Sequence, residues 1–135
     1  MENTNCSPMD YRVEIIGSSH ELSKREIVKL TSRANEIKIE EAFNDADGTL
    51  VISPAGYAEL AVHNEHAKND NKDFTVFVVI DANGNLFSTG SASFKEAFYN
   101  IWSTMHDDPE PWEIGVDRKP SRNYAGKYFY SCHLI

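Results

Sequence analysis

The chain has 135 residues, of which 41% are hydrophobic and 25% charged, and its formal net charge is −8. This size and composition are typical of one globular domain with a core of its own. No apolar run is long enough to span a bilayer, and the first residues have neither the basic start nor the apolar stretch of a signal peptide. We therefore expect a cytoplasmic protein with no membrane partner. The acidic balance disfavours capture of duplex DNA by bulk electrostatics, although it is compatible with a local cationic groove.

Residues 1–18 are expected to be a polar tail that carries a candidate short strand at 11–16, and residues 19–135 are expected to form a single domain. One cysteine, Cys6, lies in the tail and the other, Cys132, lies near the end of the chain. Two free thiols are typical of a cytosolic chain, and a disulfide between the two stays open.

A first helix is predicted early in the domain. Ser23 is followed three residues later by Glu26, which is a capping-box pattern, and it predicts a helix over about 23–33. The next segment, 34–43, is ambiguous. Its isoleucines alternate with charges, which favours a strand, while its acidic residues suit a helix, and both assignments stay open.

The middle of the chain predicts strands separated by turns. Pro54 interrupts the apolar run at 49–64, so this run is expected to be two strands with a bend between them. Residues 74–80 form the clearest strand of the chain. An Asn-Gly pair at 83–84 predicts a tight turn into a partner strand at 85–89.

A second helix is predicted after these strands. Ser93 and Glu96 form another capping-box pattern, and the apolar residues that follow recur at helical spacing. That apolar stripe consists of Phe94, Ala97, Phe98, Ile101, Trp102 and Met105. Two strands, at 112–118 and 127–135, then close the chain.

This order of strands, a helix and a final strand pair is that of an OB-fold. We therefore predict a mainly β protein with one or two helices, closed as a five-stranded barrel with the 94–105 helix plugging one end. The competing architecture is an α+β sheet with two helices on one side.

The last quarter of the chain is basic although the whole is acidic. Residues 117–135 carry about +3 and the remainder about −11. Cations for phosphates and flat rings for bases are the two ingredients of a groove for single-stranded nucleic acid. The alternative is a final β-hairpin whose aromatic residues are half core and half solvated surface. The groove would contain Lys119, Arg122, Tyr124, Lys127, Tyr128 and Tyr130.

The side-chain alternation of the last strand decides which of its rings face solvent. Tyr128 and Tyr130 share one face and Phe129 takes the other. We expect the tyrosines to face outward, because a phenol tolerates water better than a phenylalanine ring does.

The strand 74–80 offers two further stacking candidates. Phe77 lies on the less apolar of its two faces, and the other face is the expected core side. Phe77, and Phe87 across the turn, would then be exposed platforms for bases. The alternative is that both rings are buried in the interior.

Motifs for metal binding and catalysis are weak. His63 and His66 have the spacing of a ligand pair, but no second pair accompanies them, and the turn at 44–48 lacks the later ligands of a calcium loop. Cys132 and His133 are neighbours on a strand and therefore point to opposite faces. No phosphate loop and no nucleophile elbow occurs. We expect no cofactor, no metal and no enzymatic activity.

Three segments carry a resemblance to a known family: LSKREIVKLT at 22–31, VVIDANGNLFSTGSASFKEAF at 78–98 and EIGVDRKPSRNYAGKYFYSC at 113–132. They resemble small single-stranded-DNA-binding-like proteins of phages and mobile elements of Gram-positive bacteria. The resemblance implies an OB-like fold, sequence-tolerant binding of single-stranded DNA in replication or recombination, and a location in the bacterial host cell. It marks Lys119, Arg122, Tyr124, Lys127 and Tyr128. The chain lacks the acidic, Phe-terminated tail with which bacterial single-strand-binding proteins recruit partners, so recruitment of that kind is not expected.

Two functions follow from the sequence. The first is non-enzymatic, sequence-tolerant binding of single-stranded DNA, with replication proteins or a second copy as further partners. The second is an acidic inhibitor of a host nuclease or defence complex, because residues 42–116 carry 12 acidic and 3 basic residues and such a surface can mimic nucleic acid. Convergence of the cations with exposed rings in one groove favours the first function. One continuous ridge of Glu59, Glu65, Asp70, Asp73, Asp107 and Asp108 favours the second.

Overall fold

The computed structural model describes residues 10–67, 72–123 and 125–135. Most of the residues in regular structure are in strands, so the prediction of a mainly β protein with helices is confirmed. In chain order the elements are β1 (Tyr11–Ser18), α1 (Lys24–Ser32), β2 (Glu36–Lys38), α2 (Ile39–Asp45), β3 (Val51–Ile52), β4 (Pro54–Asn64), β5 (Asp73–Asp81), β6 (Leu86–Thr89), α3 (Ala92–Met105), β7 (Ile114–Pro120) and β8 (Tyr128–Leu134).

The strands form two sheets. Sheet A has the strand order β1-β4-β5-β6-β2, and sheet B has the order β3-β7-β8. Every pair is antiparallel except β2 with β6, which is parallel. Within the described ranges β1 and β2 are the two edges of sheet A and do not pair with each other. The strands there form no closed barrel, so the predicted five-stranded OB barrel is not confirmed.

Pro54 marks the point at which the chain passes from sheet B to sheet A. β3 ends at Ile52 and pairs with β7, whereas β4 begins at Pro54 and pairs with β1 and β5. Proline has no N–H to donate, so it is tolerated at the first position of a strand and not in its middle. The predicted interruption of the 49–64 run is confirmed.

The helix α1 begins where the sequence predicts. The Ser23 hydroxyl accepts from the Glu26 N–H at 3.2 Å, and the Glu26 carboxylate accepts from the Ser23 N–H at 2.9 Å. These two bonds satisfy donors that have no partner within the helix. At the other end Arg33 adopts a left-handed conformation with φ of 55° and donates twice to Glu36, at 2.6 and 2.7 Å. This ion pair joins the end of α1 to β2.

The ambiguous segment contains both of the structures that its pattern suggests. β2 covers three residues and α2 the following seven, and α2 buries Ile39 and Phe43. The alternation and the acidic residues therefore belong to two adjacent elements.

The helix α3 begins one half-turn earlier than the sequence predicts. Ser91, and not Ser93, is the N-cap: its hydroxyl accepts from the Phe94 N–H at 3.2 Å and donates to the Tyr130 carbonyl at 3.0 Å. The predicted cap was wrong because β6 ends at Thr89, whose hydroxyl accepts from the Ser91 N–H at 3.1 Å and fixes the turn into the helix there.

Sheet A buries side chains on both faces. One face packs against α3 and sheet B, with Phe77, Val79, Phe94, Phe98, Ile114 and Val116 in the cluster. The other packs against α1, with Leu30, Leu60, Val62, Val76 and Val78. The predicted stripe of α3 is confirmed, since Phe94 and Phe98 are fully buried. The structure shares the mixed helix and sheet content of the competing α+β architecture. Of its helices, α2 and α3 pack in the same cluster, whereas α1 lies on the opposite face of sheet A.

Candidate nucleic-acid interface

The β7–β8 hairpin carries most of the predicted site residues. In its register Lys119 pairs with Phe129 and Arg118 pairs with Tyr130. Because Ile114 and Val116 are buried, the even-numbered side chains of β7 point toward the core, and Lys119 points to the outer face. The hairpin therefore presents two faces with different chemistry.

The expected exposure of the tyrosines on β8 is wrong for Tyr130, which is half-buried against the core, whereas Tyr128 is exposed. Cys132 is 7% exposed and belongs to the core, so alternation turns Tyr130 and Tyr128 to the same side. The Tyr130 ring packs edge-on against Phe43, with ring centroids 5.8 Å apart. Phe129 is the ring on the outer face, and 36% of it is exposed. The burial of Cys132, two residues after Tyr130, therefore decides the orientation of β8 more strongly than the preference of a phenol for water does.

An open groove lies at the outer face of the hairpin tip, and we call it the tip groove. Its volume is about 670 Å³. The backbone of the tip is closed by the Ser121 N–H, which donates to the Lys127 carbonyl at 2.9 Å, and by Gly126 at a φ of 77°. The lining consists of Lys119, Pro120, Ser121, Arg122, Asn123 and Phe129.

The cations of the tip are available to a ligand. In the described part of the chain no carboxylate lies within 4.0 Å of the charged nitrogens of Lys119, Arg122 or Lys127. Lys95, in contrast, contacts Glu59 at 2.7 Å, and Arg33 contacts Glu36 at 2.6 Å. Lys127 is exposed beside the groove without lining it. The sixth predicted residue of the hairpin, Tyr124, lies outside the described residues.

The inner face of the tip holds a stack that sequence reasoning missed. The Arg118 guanidinium lies 4.8 Å from the ring centroid of Tyr128 and 5.2 Å from that of Phe43, and it donates to the Asn44 side-chain oxygen at 3.3 Å. Tyr128 is 58% exposed. Alternation along β7 is the signal that places Arg118 on the core side, but no pattern in the sequence indicates that Phe43 of α2 lies beside it.

The stacking candidates in sheet A are not exposed platforms. Phe77 is 3% exposed and packs against Phe94 and Phe98 of α3. Phe87 is half-buried against the same cluster. The predicted role of Phe77 was wrong because α3 covers the face of β5 that was expected to be open.

The carboxylates of the proposed acidic ridge are partly engaged in local pairs. Glu59 contacts Lys95 and accepts from the Tyr99 hydroxyl at 3.3 Å; burial and then the Glu59 charge raise the pKa of Tyr99 to about 12. Glu65 and Asp73 both bond the His63 ring, at 2.9 and 2.7 Å. Asp107 and Asp108 are exposed after α3, and Asp70 lies outside the described residues.

The other candidates for chemistry have structural partners. The hydrogen bonds that Asp73 and then Glu65 accept from the His63 ring raise the pKa of His63. No group of three potential metal ligands occurs among residues 10–67, 72–123 and 125–135. Cys132 is a buried free thiol whose pKa is raised to about 12, mainly by burial. His133 lies on the opposite face, as predicted, and bonds Asp117 at 2.8 Å. Cys6 lies outside the described residues.

Comparisons with protein-family models, curated proteins and solved structures found no match to this chain. Of the helices in the described residues, none combines the length and the apolar character needed to cross a membrane. The geometry of the β7–β8 hairpin is therefore the main indication of a function.

Proposed function

We propose that this protein binds single-stranded DNA, with little sequence preference, through the tip groove. One observation carries the proposal: Lys119, Arg122 and the exposed ring of Phe129 line the same open groove. The two cations would bind backbone phosphates, and a base would stack on Phe129. The Ser121 and Asn123 side chains add hydrogen-bonding groups to the same lining.

The chemistry of the groove favours a single strand over a duplex. A base can stack on an aromatic side chain only when its face is free, and such a contact contributes about 1–3 kcal/mol per base. Every base has such a face, so the contact is tolerant of sequence. A net charge of −8 would weaken any binding that depended on general attraction to phosphates.

The proposed setting is the replication or recombination of a phage or mobile element in a bacterial cell. The resemblance of the motifs at 22–31, 78–98 and 113–132 supports it. The groove belongs to a hairpin of sheet B, so the proposed binding does not require an OB barrel.

The test is a fluorescence-anisotropy titration of a labelled oligo-dT of roughly 30 nucleotides, at about 50 and 200 mM salt. We expect saturable binding that weakens with salt. Phe129→Leu should raise the Kd by roughly tenfold, the lower part of the range for one lost stacking contact. Phe77→Leu is the matched control, because it alters a buried ring of the same type and should leave the Kd unchanged while the protein stays folded.

A second candidate function is the acidic inhibitor of a host nuclease or defence complex. The exposed carboxylates of Asp107, Asp108 and Glu110 after α3 favour it. If oligo-dT does not bind at low salt while the chain captures a host nuclease, this second function replaces the first.

A further inference from the structure

Arg118 has an unusual environment for an exposed cation. Its guanidinium carbon lies over two aromatic rings, 4.8 Å from the ring centroid of Tyr128 and 5.2 Å from that of Phe43. One edge donates to Asn44 at 3.3 Å. In the described ranges no carboxylate lies within 4.0 Å of it. The charge is therefore held in place without being neutralised.

This arrangement leaves a specific part of the guanidinium for a ligand. A guanidinium has five N–H donors, all in its own plane. The two ring contacts and the bond to Asn44 restrict the movement of the group and leave further N–H donors for a ligand. An edge of the guanidinium with two parallel donors matches the oxygens of a phosphate, which arginine binds bidentately.

We propose that Arg118 is a phosphate-binding residue on the inner face of the hairpin, opposite the tip groove. The inference rests on the proposed function: the phosphate belongs to the same DNA strand, which crosses the hairpin tip from one face to the other. Arg118 and Lys119 are consecutive on β7 and so point to opposite faces. Lys127, exposed at the tip beside Tyr128, supplies positive charge along the crossing.

If the strand crosses the hairpin tip, the effect of an Arg118 variant on the Kd should depend on the length of the oligonucleotide. An oligo-dT of about 4 nucleotides would fill one face, whereas one of about 12 would reach both. Arg118→Lys keeps the charge but loses the planar fork. It should raise the Kd for the longer strand by about fivefold to tenfold, leave the Kd for the shorter strand unchanged and leave the salt dependence unchanged. Arg25→Lys on α1 is the matched control and should change neither Kd.

A second measurement keeps the test independent of packing changes in the variant. The Nε–Hε resonance of Arg118 in the 15N-labelled wild type should shift when the longer oligo-dT is added. Asn44→Ala, which removes the acceptor at 3.3 Å and keeps the guanidinium, should weaken binding of the longer strand less than Arg118→Lys does.

The measurements distinguish an error in the Arg118 site from an error in the proposed function. If the wild type binds both oligonucleotides, the Arg118 resonance does not move and Arg118→Lys has the wild-type Kd, the Arg118 site is wrong and the tip groove stands. If neither oligonucleotide binds, the proposed function and the strand crossing fail together. A shift with inorganic phosphate in that case would assign Arg118 to a small phosphorylated ligand and contradict the crossing.

Discussion

Removing the two cations that line the tip groove should change the salt dependence of binding by a defined amount. In the double variant Lys119→Gln/Arg122→Gln two phosphates lose their partners. For single strands each neutralised phosphate contributes about 0.7 to the slope of log K against log salt. We therefore expect the slope to become shallower by about 1.4. Over a fourfold rise in salt the deficit of the variant should shrink by a factor of about 7.

The matched control is Lys24→Gln/Arg25→Gln on α1. Both residues are exposed, and α1 packs on the face of sheet A that is remote from sheet B. The two double variants have the same formal net charge, two units below the −8 of the wild type. The assay is anisotropy at four or more salt concentrations, with a thermal melt to show that both variants fold. Equal changes of slope in the two variants would refute a localised groove and indicate bulk electrostatics.

Three further predictions concern stability and reactivity. Gly56→Ala should lower the free energy of unfolding by about 1–3 kcal/mol in urea titrations, because an added Cβ would lie 2.7 Å from the Ser19 hydroxyl oxygen and 2.8 Å from a ring carbon of His20. Gly90→Ala is the control, since a Cβ there would meet nothing within 4 Å. Equal effects at the two glycines would contradict this packing. In a Cys6→Ser background Cys132 should react with a thiol reagent at pH 8 only after unfolding, since burial raises its pKa to about 12; rapid labelling of the folded protein would contradict its placement. The carboxylates beside His63 raise its pKa, so its stabilising contribution is complete below the unfolded-state pKa of about 6.5 and is lost as the pH rises through the folded-state value. The difference in denaturation midpoint between wild type and His63→Gln should therefore close toward pH 9, and a difference that widens would show the opposite linkage.

Local signals predicted most of the elements. The capping box at Ser23 predicted the start of α1, the Asn-Gly pair predicted the turn from β5 to β6, and Pro54 predicted a break. Each of these acts over a few residues, so the sequence alone contains the information. The prediction of Ser93 as the N-cap of α3 was wrong because Ser91 and Ser93 are both suitable caps, and the end of β6 decides between them.

The assembly of the elements could not be predicted in the same way. Five strands in the order of an OB-fold suggest a barrel, but β3, β7 and β8 pair among themselves, and β2 joins sheet A in parallel. Pairings of that kind depend on contacts between distant segments, for which one sequence provides no local pattern. The predicted exposure of Phe77 on β5 was wrong for the same reason, since only the position of α3 shows that this ring is covered.

The candidate site was predicted in composition more than in geometry. The cations Lys119 and Arg122 lie together in the tip groove, as the charge of the last segment suggested. The predicted exposure was wrong for Tyr130, because the burial of Cys132 decides the alternation of β8 and turns this ring toward the core, while Tyr128 on the same side is exposed at the tip. Phe129 is therefore the ring on the outer face on which a base would stack.

The most direct test of the account is photo-crosslinking of the protein to an oligonucleotide that carries 5-iodouracil, with the adduct located by mass spectrometry. A base that stacks on the Phe129 ring in the tip groove should give an adduct at Phe129, and an excess of unlabelled oligo-dT should suppress this adduct. Adducts found only outside the β7–β8 hairpin would contradict the proposal that this hairpin binds single-stranded DNA.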